Sequence, residues 1–370
     1  MTAPVVPRYG ASSLVEVMPA IGAHLGLPGC VDVLDLPDAE RYVVLLIDGL
    51  GQTNVAASEG LAPYLASRPD TRTLTSVTPT TTATALTSLG TGLDPGQHGV
   101  AGYSFRHPFS TGVLNMLAWE PGLSGLDVQP RLTLFERLAR AGIATTSVLP
   151  TRFSGSGLTE AGLRGARFSP VDDETDGARR IEQVVDASAS GERSFVYVYE
   201  RSLDHIGHGV GWRSEEWSAA LAEVDRLAAD LRSALPDATR LVITADHGMI
   251  DVPADERVIV EREPDLLAGV ELLAGEGRFR QLYTAEPDAV ASRWNDHLQD
   301  RAWVRTRAEA VDEAWFGYVT PQMAPRFGDV VVAMRGTGAV MTQALPRELT
   351  LIGMHGSLTA DEMLVPLIVE

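Results

Sequence analysis

Residues 42–49 of this sequence read Tyr42-Val43-Val44-Leu45-Leu46-Ile47-Asp48-Gly49. Six apolar or aromatic side chains in succession indicate a strand that is buried on both faces of a parallel sheet. The Asp-Gly pair then ends the strand in a turn. Three further runs of the same kind end at proline or at an acidic cluster, and they are residues 143–149, 194–199 and 241–244.

Helical patterns alternate with these runs. Residues 132–141 and 217–235 have apolar side chains at helical spacing, and a proline follows the second pattern. Strands that alternate with helices predict an α/β fold, here a doubly wound, largely parallel sheet flanked by helices.

The character of the chain changes between residues 251 and 345. This segment is rich in charges and contains several tryptophans, so we interpret it as a smaller inserted α+β cap subdomain. Residues 349–352 then return to an apolar run. The predicted catalytic core therefore consists of residues 1–250 and 346–370, with the cap at 251–345.

The bulk composition restricts the partners of the protein. The 370 residues are 45% hydrophobic and 21% charged, which suits one large α/β domain with an insertion. The net charge of −19 would repel a nucleic-acid backbone, so we expect no nucleic-acid polymer as a partner. A small anionic substrate stays compatible, because bound metal cations reverse the local field.

Missing residue types exclude several kinds of chemistry. The sequence has no lysine, which excludes a Schiff base and a Walker-type phosphate loop. The single cysteine, Cys30, excludes an intrachain disulfide and a cysteine-based metal cage. No run of 18 apolar residues and no signal-peptide pattern in residues 1–26 is present, so we expect a cytoplasmic protein without a membrane partner. A homo-oligomer is left open.

Four polar clusters follow the predicted strands, where ligands bind in open α/β sheets. Aspartate and histidine are ligands that zinc favours, although each cluster alone is also typical of a turn or a surface contact. Residues 204 and 208 lie four apart, so their side chains face one way on a helix. The clusters comprise Asp48, the pair Asp204 and His208, the pair Asp246 and His247, and His355.

A threonine-rich segment offers a nucleophile. Residues 78–92 read TPTTTATALTSLGTG, which is typical of a helix that starts after a proline and is capped by threonine. The free N–H groups of such a helix start suit a phosphoryl group. A threonine hydroxyl there is a poor nucleophile until a metal lowers its pKa.

Taken in order, these motifs resemble the type I phosphodiesterase/nucleotide pyrophosphatase family of the alkaline phosphatase superfamily. The resemblance spans roughly residues 40–356, and suitable residues fill all seven positions that the family uses. The matching motifs are Asp48, Pro79-Thr80-Thr81-Thr82, Thr91-Gly92, the DPGQHG run at 94–99, Asp204 with His208, Asp246-His247-Gly248 and His355-Gly356.

The resemblance implies a centre of two divalent metal ions, zinc with manganese as the alternative. It implies that Thr82 is the nucleophile and also a metal ligand. One ion would be held by Asp48, Thr82, Asp246 and His247, and the other by Asp204, His208 and His355. The predicted partner is a small anionic phosphate ester.

One position departs from the family. Its eukaryotic-type nucleotide pyrophosphatases place an asparagine three residues after the nucleophile to bind a phosphoryl oxygen, whereas this sequence has Ala85. We predict from residue type that Asn115 supplies the missing donor. The departure weakens the inference of a nucleotide substrate.

The predicted function is hydrolysis of phosphodiester or pyrophosphate bonds through a phospho-threonine intermediate at a two-zinc site. Residues 74–93 contain no arginine, which favours a diester monoanion over a monoester dianion. The alternatives are a phosphomonoesterase, for which Arg106 and Arg152 are the first candidate cations, a phosphonate hydrolase, and a non-catalytic metal-bound binding protein.

Specificity is expected to come from the cap and from residues 101–119. A second substituent of the substrate could rest against the cap aromatics Trp303, Trp315 or Phe316.

Overall fold

The computed structural model describes residues 3–58, 60–68 and 71–370. Within these ranges the strands are β1 (Arg41–Ile47), β2 (Arg72–Thr75), β3 (Ser104–Arg106), β4 (Val113–Asn115), β5 (Ala144–Pro150), β6 (Arg167–Val171), β7 (Ser194–Glu200), β8 (Thr239–Thr244), β9 (Ile250–Asp251), β10 (Arg257–Ile259), β11 (Leu272–Glu276), β12 (Phe279–Tyr283), β13 (Ala302–Thr306), β14 (Val330–Met334), β15 (Ala339–Met341), β16 (Gly353–Met354) and β17 (Leu364–Val369).

The helices of the described ranges are α1 (Val17–His24), α2 (Gln52–Ala57), α3 (Pro63–Ala66), α4 (Thr82–Thr91), α5 (Pro95–His98), α6 (Gly125–Val128), α7 (Leu134–Arg140), α8 (Gly157–Gly162), α9 (Gly177–Ser188), α10 (Ser202–Val210), α11 (Glu215–Ala234), α12 (Pro264–Leu267), α13 (Pro287–Leu298), α14 (Arg307–Asp312) and α15 (Ala360–Met363).

A seven-stranded sheet forms the centre of the fold, in the order β2-β17-β8-β1-β7-β5-β6. Strand β1 lies in the middle and pairs in parallel with β8 on one side and β7 on the other. Strand β17 is antiparallel to both of its neighbours, β8 and β2. The predicted α/β fold with a largely parallel sheet is confirmed.

Helices cover the central strands. Helix α9 packs on β1, β5 and β7 and against α11, whereas α1, α4 and α7 contact one another and α7 packs on β5. Every residue of β1 after Arg41 is buried, as is all of β7. These strands therefore need the continuous apolar runs that the sequence shows.

A second sheet of four antiparallel strands, in the order β11-β12-β14-β13, lies entirely within residues 272–334. Trp294 of α13 packs against apolar residues of this sheet and is fully buried. The assignment of 251–345 as a cap subdomain stays a prediction, although all four strands fall inside it.

Two buried ion pairs anchor strand β12. The Arg278 guanidinium contacts both carboxylate oxygens of Glu362 in α15, at 3.1 and 2.7 Å. The Arg280 guanidinium forms a short ion pair with Glu348. Arg278 and Arg280 are fully buried, so each of their charges depends on its partner.

Candidate active site

The predicted site residues gather beyond the carboxyl ends of neighbouring strands. Asp48 directly follows β1, and Asp246 and His247 follow β8, which pairs with β1. Strand β7, on the other side of β1, leads into α10 with Asp204 and His208. His355 follows β16. Because β8, β1 and β7 are parallel neighbours, their ends bring these side chains to one edge of the sheet.

His247 is at the centre of the first group. Its Nε2 lies 3.3 Å from Asp48 Oδ1 and 3.5 Å from Asp246 Oδ2. The hydroxyl oxygen of Thr82 lies 3.2 Å from the same nitrogen. Asp48, Asp246 and His247 offer ligand atoms that all lie within 4.8 Å of one another.

Asp204 is at the centre of the second group. Its Oδ1 lies 3.2 Å from His208 Nε2 and 3.6 Å from His355 Nε2. The rings of His247 and His355 stack with centroids 3.5 Å apart, so the two groups adjoin. Asp204, His247 and His355 also form a set of ligand atoms within 4.8 Å of one another. The structure thus brings all seven predicted metal ligands together.

The three histidines share one hydrogen-bonding arrangement. Nδ1 of His208 lies 2.7 Å from the Gly353 carbonyl, and Nδ1 of His355 lies 2.8 Å from the Thr80 carbonyl. Nδ1 of His247 lies 3.0 Å from its neighbouring carbonyl at Gly248. A carbonyl only accepts, so each Nδ1 must carry the proton and donate it. Each Nε2 then presents a lone pair, which is the state that ligates a metal.

These lone pairs face carboxylate oxygens that lack donors. Asp48 Oδ1, Asp204 Oδ1 and Asp246 Oδ2 are buried without a hydrogen-bond partner. Acceptors facing acceptors repel one another, and a divalent cation between them would remove the repulsion. The donor set of aspartate oxygen and histidine nitrogen fits zinc.

The pKa shifts of Asp48, Asp246 and His355 reflect the burial of these groups and the repulsion between them. Burial raises the pKa of Asp48 well above its usual range, and the nearby charges of Asp246 and Asp204 raise it further. Burial also raises the pKa of Asp246, against a lowering contribution from His247. Burial lowers the pKa of His355 well below its usual range, and His247 and His208 add to that effect. In the absence of cations, these groups therefore resist the charged state.

Tyr199 is a further residue of the site that the sequence analysis missed. Its hydroxyl donates a short hydrogen bond to Asp48 Oδ2, which leaves Oδ1 facing His247. Tyr199 is opposite Leu46 in the pairing of β7 with β1, so it reaches the residue beyond the end of β1. In the sequence it is simply one aromatic residue of a strand, and no motif marks it.

The nucleophile candidate stands at a helix start. Helix α4 begins at Thr82, and Thr81 is its N-cap with extended backbone angles. The amide groups of the first turn of a helix have no intrahelical acceptor and point outward. The Thr82 hydroxyl therefore lies beside both the metal-ligand atoms and free amide donors.

A cavity of about 690 Å³ opens over this group. The lining includes residues 81–83, Tyr103, residues 115, 117 and 118, Glu276, residues 345–348 and Leu351. Asp204, His208 and His355 line its floor. Asn115 lines the cavity too, and its Oδ1 accepts a hydrogen bond from Leu117 N at 2.9 Å.

The suggestion that cap aromatics hold the second substituent of the substrate was wrong. Trp303, Trp315 and Phe316 are buried in a core cluster, and none of them lines the cavity. Arg152 is paired with Glu174, and Arg106 lies over the Tyr283 ring with Asp329 3.8 Å away. Neither arginine lines the cavity. These side chains satisfy local packing and charge pairing, which residue type alone does not reveal.

No helix of the described ranges has both the length and the apolar character that crossing a membrane requires.

Comparisons with known proteins agree with this architecture. The family described as type I phosphodiesterase/nucleotide pyrophosphatase matches residues 42–358. No curated protein matches the chain significantly. Among solved structures, murine ectonucleotide pyrophosphatase/phosphodiesterase 5 is similar, with a TM-score of 0.70, 17% identity, and coverage of 88% of this chain and 87% of that one.

An inactive variant of the same murine protein was solved in complex with AMP, and its TM-score is also 0.70 at 16% identity, covering 88% of this chain and 87% of that one. Phosphonoacetate hydrolase from Sinorhizobium meliloti, in complex with phosphonoformate, has a TM-score of 0.68 and 19% identity, covering 90% of this chain and 91% of that one. At these identities the likeness concerns the fold.

Proposed function

The chain belongs to the type I phosphodiesterase/nucleotide pyrophosphatase family, and we propose that it hydrolyses phosphodiester or pyrophosphate bonds with Thr82 as nucleophile at a two-metal centre. Members of the family are enzymes of the alkaline phosphatase superfamily, which is metal-dependent and also includes phosphonate hydrolases. The nucleophile, the number of ions and their identity are parts of the proposal.

The observation that carries the proposal is the convergence of unpartnered acceptors around a hydroxyl. Three buried carboxylate oxygens without donors face three histidine nitrogens whose tautomer leaves a lone pair. The Thr82 hydroxyl lies 3.2 Å from one of these nitrogens. A structural polar cluster would pair donors with acceptors, whereas these unpaired acceptors favour the binding of cations.

The residues support two ions, most simply zinc, with manganese as the alternative. Asp48, Asp246, His247 and Thr82 would hold one ion. Asp204, His208 and His355 would hold the other. When bound, such ions lower the pKa of a hydroxyl or water and neutralise charge on the phosphoryl oxygens.

In this proposal Thr82 attacks phosphorus in line with the leaving oxygen. Its oxygen forms a bond to phosphorus while the bond to the leaving oxygen breaks, and the leaving oxygen departs as an alcohol or a phosphate. Water then cleaves the phospho-threonine and restores the hydroxyl. The amide groups at the start of α4 would donate to the phosphoryl oxygens throughout. Asn115 is proposed to add a donor from the cavity wall.

The charge of the cavity favours a diester or pyrophosphate over a monoester. Arg347 is the one arginine among the described residues that line it, and its side chain is exposed. A monoester dianion would need a further cation beside the nucleophile, whereas a diester monoanion asks for less positive charge. Each missing charge-assisted hydrogen bond is worth about 1.5–3 kcal/mol.

Removing the Thr82 hydroxyl tests the nucleophile. We expect Thr82→Ala to lose turnover of an aryl phosphodiester by more than about a thousandfold, while elemental analysis still finds metal, because the other ligands remain. Thr91→Ala removes a hydroxyl from the other end of the same helix, where it bonds to the Thr87 carbonyl at 2.7 Å, and should stay active. Activity of Thr82→Ala within tenfold of the wild type would contradict the nucleophile assignment.

A matched pair of substrates tests the bond type. We compare kcat/KM for 4-nitrophenyl phosphate and for its methyl ester, with the same leaving group and metal. We expect the diester to be hydrolysed about ten- to a hundredfold more efficiently, which corresponds to about one missing charged hydrogen bond for the monoester. Equal or higher efficiency with the monoester would point to a phosphomonoesterase instead.

A further inference from the structure

One wall of the cavity is made of two carboxyl groups. Glu276 ends strand β11 and Glu348 lies in the segment after β15, and both line the cavity over Thr82. Neither was identified from the sequence, because Glu276 occurs in a hairpin turn and Glu348 in a loop with no motif.

Glu276 is held against the nucleophile segment. Its Oε2 accepts a hydrogen bond from the Thr81 hydroxyl at 3.3 Å. On its other side it lies over Gly356, where an added Cβ would meet the Glu276 carboxyl carbon at 3.1 Å. Thr81 and Gly356 are direct neighbours in sequence of Thr82 and His355, so the Glu276 carboxyl group lies beside the segments that carry the nucleophile and a metal ligand.

Each of these carboxyl groups has an oxygen without a donor. Glu276 Oε1 and Glu348 Oε1 are both buried and form no hydrogen bond. Glu348 is 8% exposed, so its free oxygen cannot be satisfied by bulk water. A buried acceptor without a donor is costly, and in a cavity the missing donor can come from a ligand.

The two buried guanidinium groups nearby are already paired. Arg280 forms its ion pair with Glu348 through the other carboxylate oxygen, and its Nε donates to the Val340 carbonyl. Arg278 pairs with Glu362. Glu276 has no ion pair among the described residues, and burial, followed by the charge of Glu348, raises its pKa. Among its buried groups, the wall therefore has one carboxyl group more than it has cations, since Arg347 lies exposed at the rim.

We propose that the substituent retained on phosphorus carries a protonated primary amine, two or three bonds from the ester oxygen, which donates to the free oxygens of Glu276 and Glu348. This inference rests on the proposed phosphodiesterase function and specifies its substrate class. An in-line leaving group departs on the side away from Thr82, whereas this wall adjoins Thr81. The wall therefore receives the retained substituent.

The same wall disfavours a substituent that is negatively charged or purely apolar. A substituent with a carboxylate would lie against two carboxyl groups and would have only the exposed Arg347 at the rim to pair with. A plain alkyl group would leave both free oxygens without donors. An ammonium group supplies three donors and the missing positive charge.

The test compares two esters that differ in one terminal group. Metal-loaded enzyme is assayed with 4-nitrophenyl 2-aminoethyl phosphate and with 4-nitrophenyl propyl phosphate, which are nearly equal in shape. We expect kcat/KM to be about ten- to a hundredfold higher for the aminoethyl ester. Calorimetric titration should likewise show tighter binding of 2-aminoethyl phosphate than of propyl phosphate.

Substitution of Glu276 tests whether this residue causes the preference for the aminoethyl ester. Glu276→Gln should reduce the ratio of the two kcat/KM values to about one while metal content stays constant, and Glu276→Asp should keep part of it. The matched control is Glu271→Gln, an exposed residue just before the same strand. If Glu276→Gln fails to fold, a reduced preference in a folded Glu276→Asp supports the inference, and an unchanged preference contradicts it.

Several outcomes would overturn the inference. Equal hydrolysis of the two esters by the wild type would do so and would leave the proposed phosphodiesterase function standing. A preference for the 4-nitrophenyl carboxymethyl ester, retained in Glu276→Gln, would show that Glu276 acts as a neutral donor to an anion. Hydrolysis of none of the esters by metal-loaded protein would overturn both the inference and the function.

Discussion

The side chains of the site were predictable by type, whereas their orientation was not. Aspartates and histidines after strand ends suggest metal ligands because their positions follow from the parallel sheet. The tautomers of His208 and His355 depend on carbonyls far away in the sequence, at Gly353 and Thr80. The hydrogen bond from Tyr199 on β7 to Asp48 after β1 likewise joins residues that are far apart in the sequence. Contacts of this kind exist only once the chain has folded.

Tyr199 contacts Asp48 through a single hydrogen bond, so removing the Tyr199 hydroxyl oxygen tests whether that bond positions Asp48. We expect Tyr199→Phe to fold normally but to bind metal about 10- to 100-fold more weakly, because partners that orient metal ligands typically contribute that much. The measurement is zinc affinity by competition with a chelating dye.

Tyr197 provides the control for that experiment. It lies two residues earlier on β7, and its buried hydroxyl has no hydrogen-bond partner. Tyr197→Phe removes the same atom from the same strand and should leave zinc affinity unchanged. If both variants lose affinity equally, the hydroxyl of Tyr199 has no specific role in positioning Asp48.

The strands and long helices were predictable to within a few residues. Residues 42–47 form β1 from Arg41 to Ile47, and the helical pattern at 217–235 is α11 from Glu215 to Ala234. Helix α7 begins at Leu134, two residues later than the pattern, because Thr133 caps it. Strand order was not predictable, since parallel partners are distant in sequence and pairing leaves no local signal.

The link between α15 and strand β12 of the second sheet is predicted to be critical for stability. Glu362 pairs with Arg278, and both side chains are fully buried. Glu362→Gln should lower the free energy of unfolding by about 3–5 kcal/mol, because it leaves the guanidinium charge buried without a partner. Urea denaturation measures the change.

An exposed ion pair serves as the comparison. Glu182 pairs with Arg179 at 3.1 Å, and both are about two-thirds exposed, at 66% and 65%. Glu182→Gln should change the free energy of unfolding by less than about 1 kcal/mol. A similar small change for Glu362→Gln would mean that the link to α15 contributes little to the stability of the fold.

At the scale of the whole molecule, stability should depend on metal and pH together. Asp48 and Asp246 have raised pKa values, so the metal-free folded state holds more protons than the unfolded state does. Their contribution to metal-free stability is complete below the ordinary aspartate pKa and is lost as the pH rises through the raised values. Bound cations require the ionised form and reverse this loss.

His355 affects the metal-free fold in the opposite direction, although metal binding again needs the form that prevails at higher pH. Its pKa is lowered, so protonation in acid favours the unfolded state, and the neutral ring that ligates metal prevails at higher pH. We expect the difference in Tm between zinc-loaded and chelated protein to widen from about pH 5 to about pH 8. Scanning calorimetry measures it, and a difference that is absent or constant over this range would contradict the metal assignment.

The position of β17 has a consequence for biosynthesis. This strand lies between β8 and β2, and apart from a bridge between Ser13 and Thr75 it is the connection of β2 to the sheet. A ribosome makes residues 364–369 after every other element of the fold. Until they insert, β2, which precedes the segment that carries Thr82, has no partner strand in the central sheet. The edge of the sheet next to the nucleophile segment is therefore completed late, after translation has passed β17.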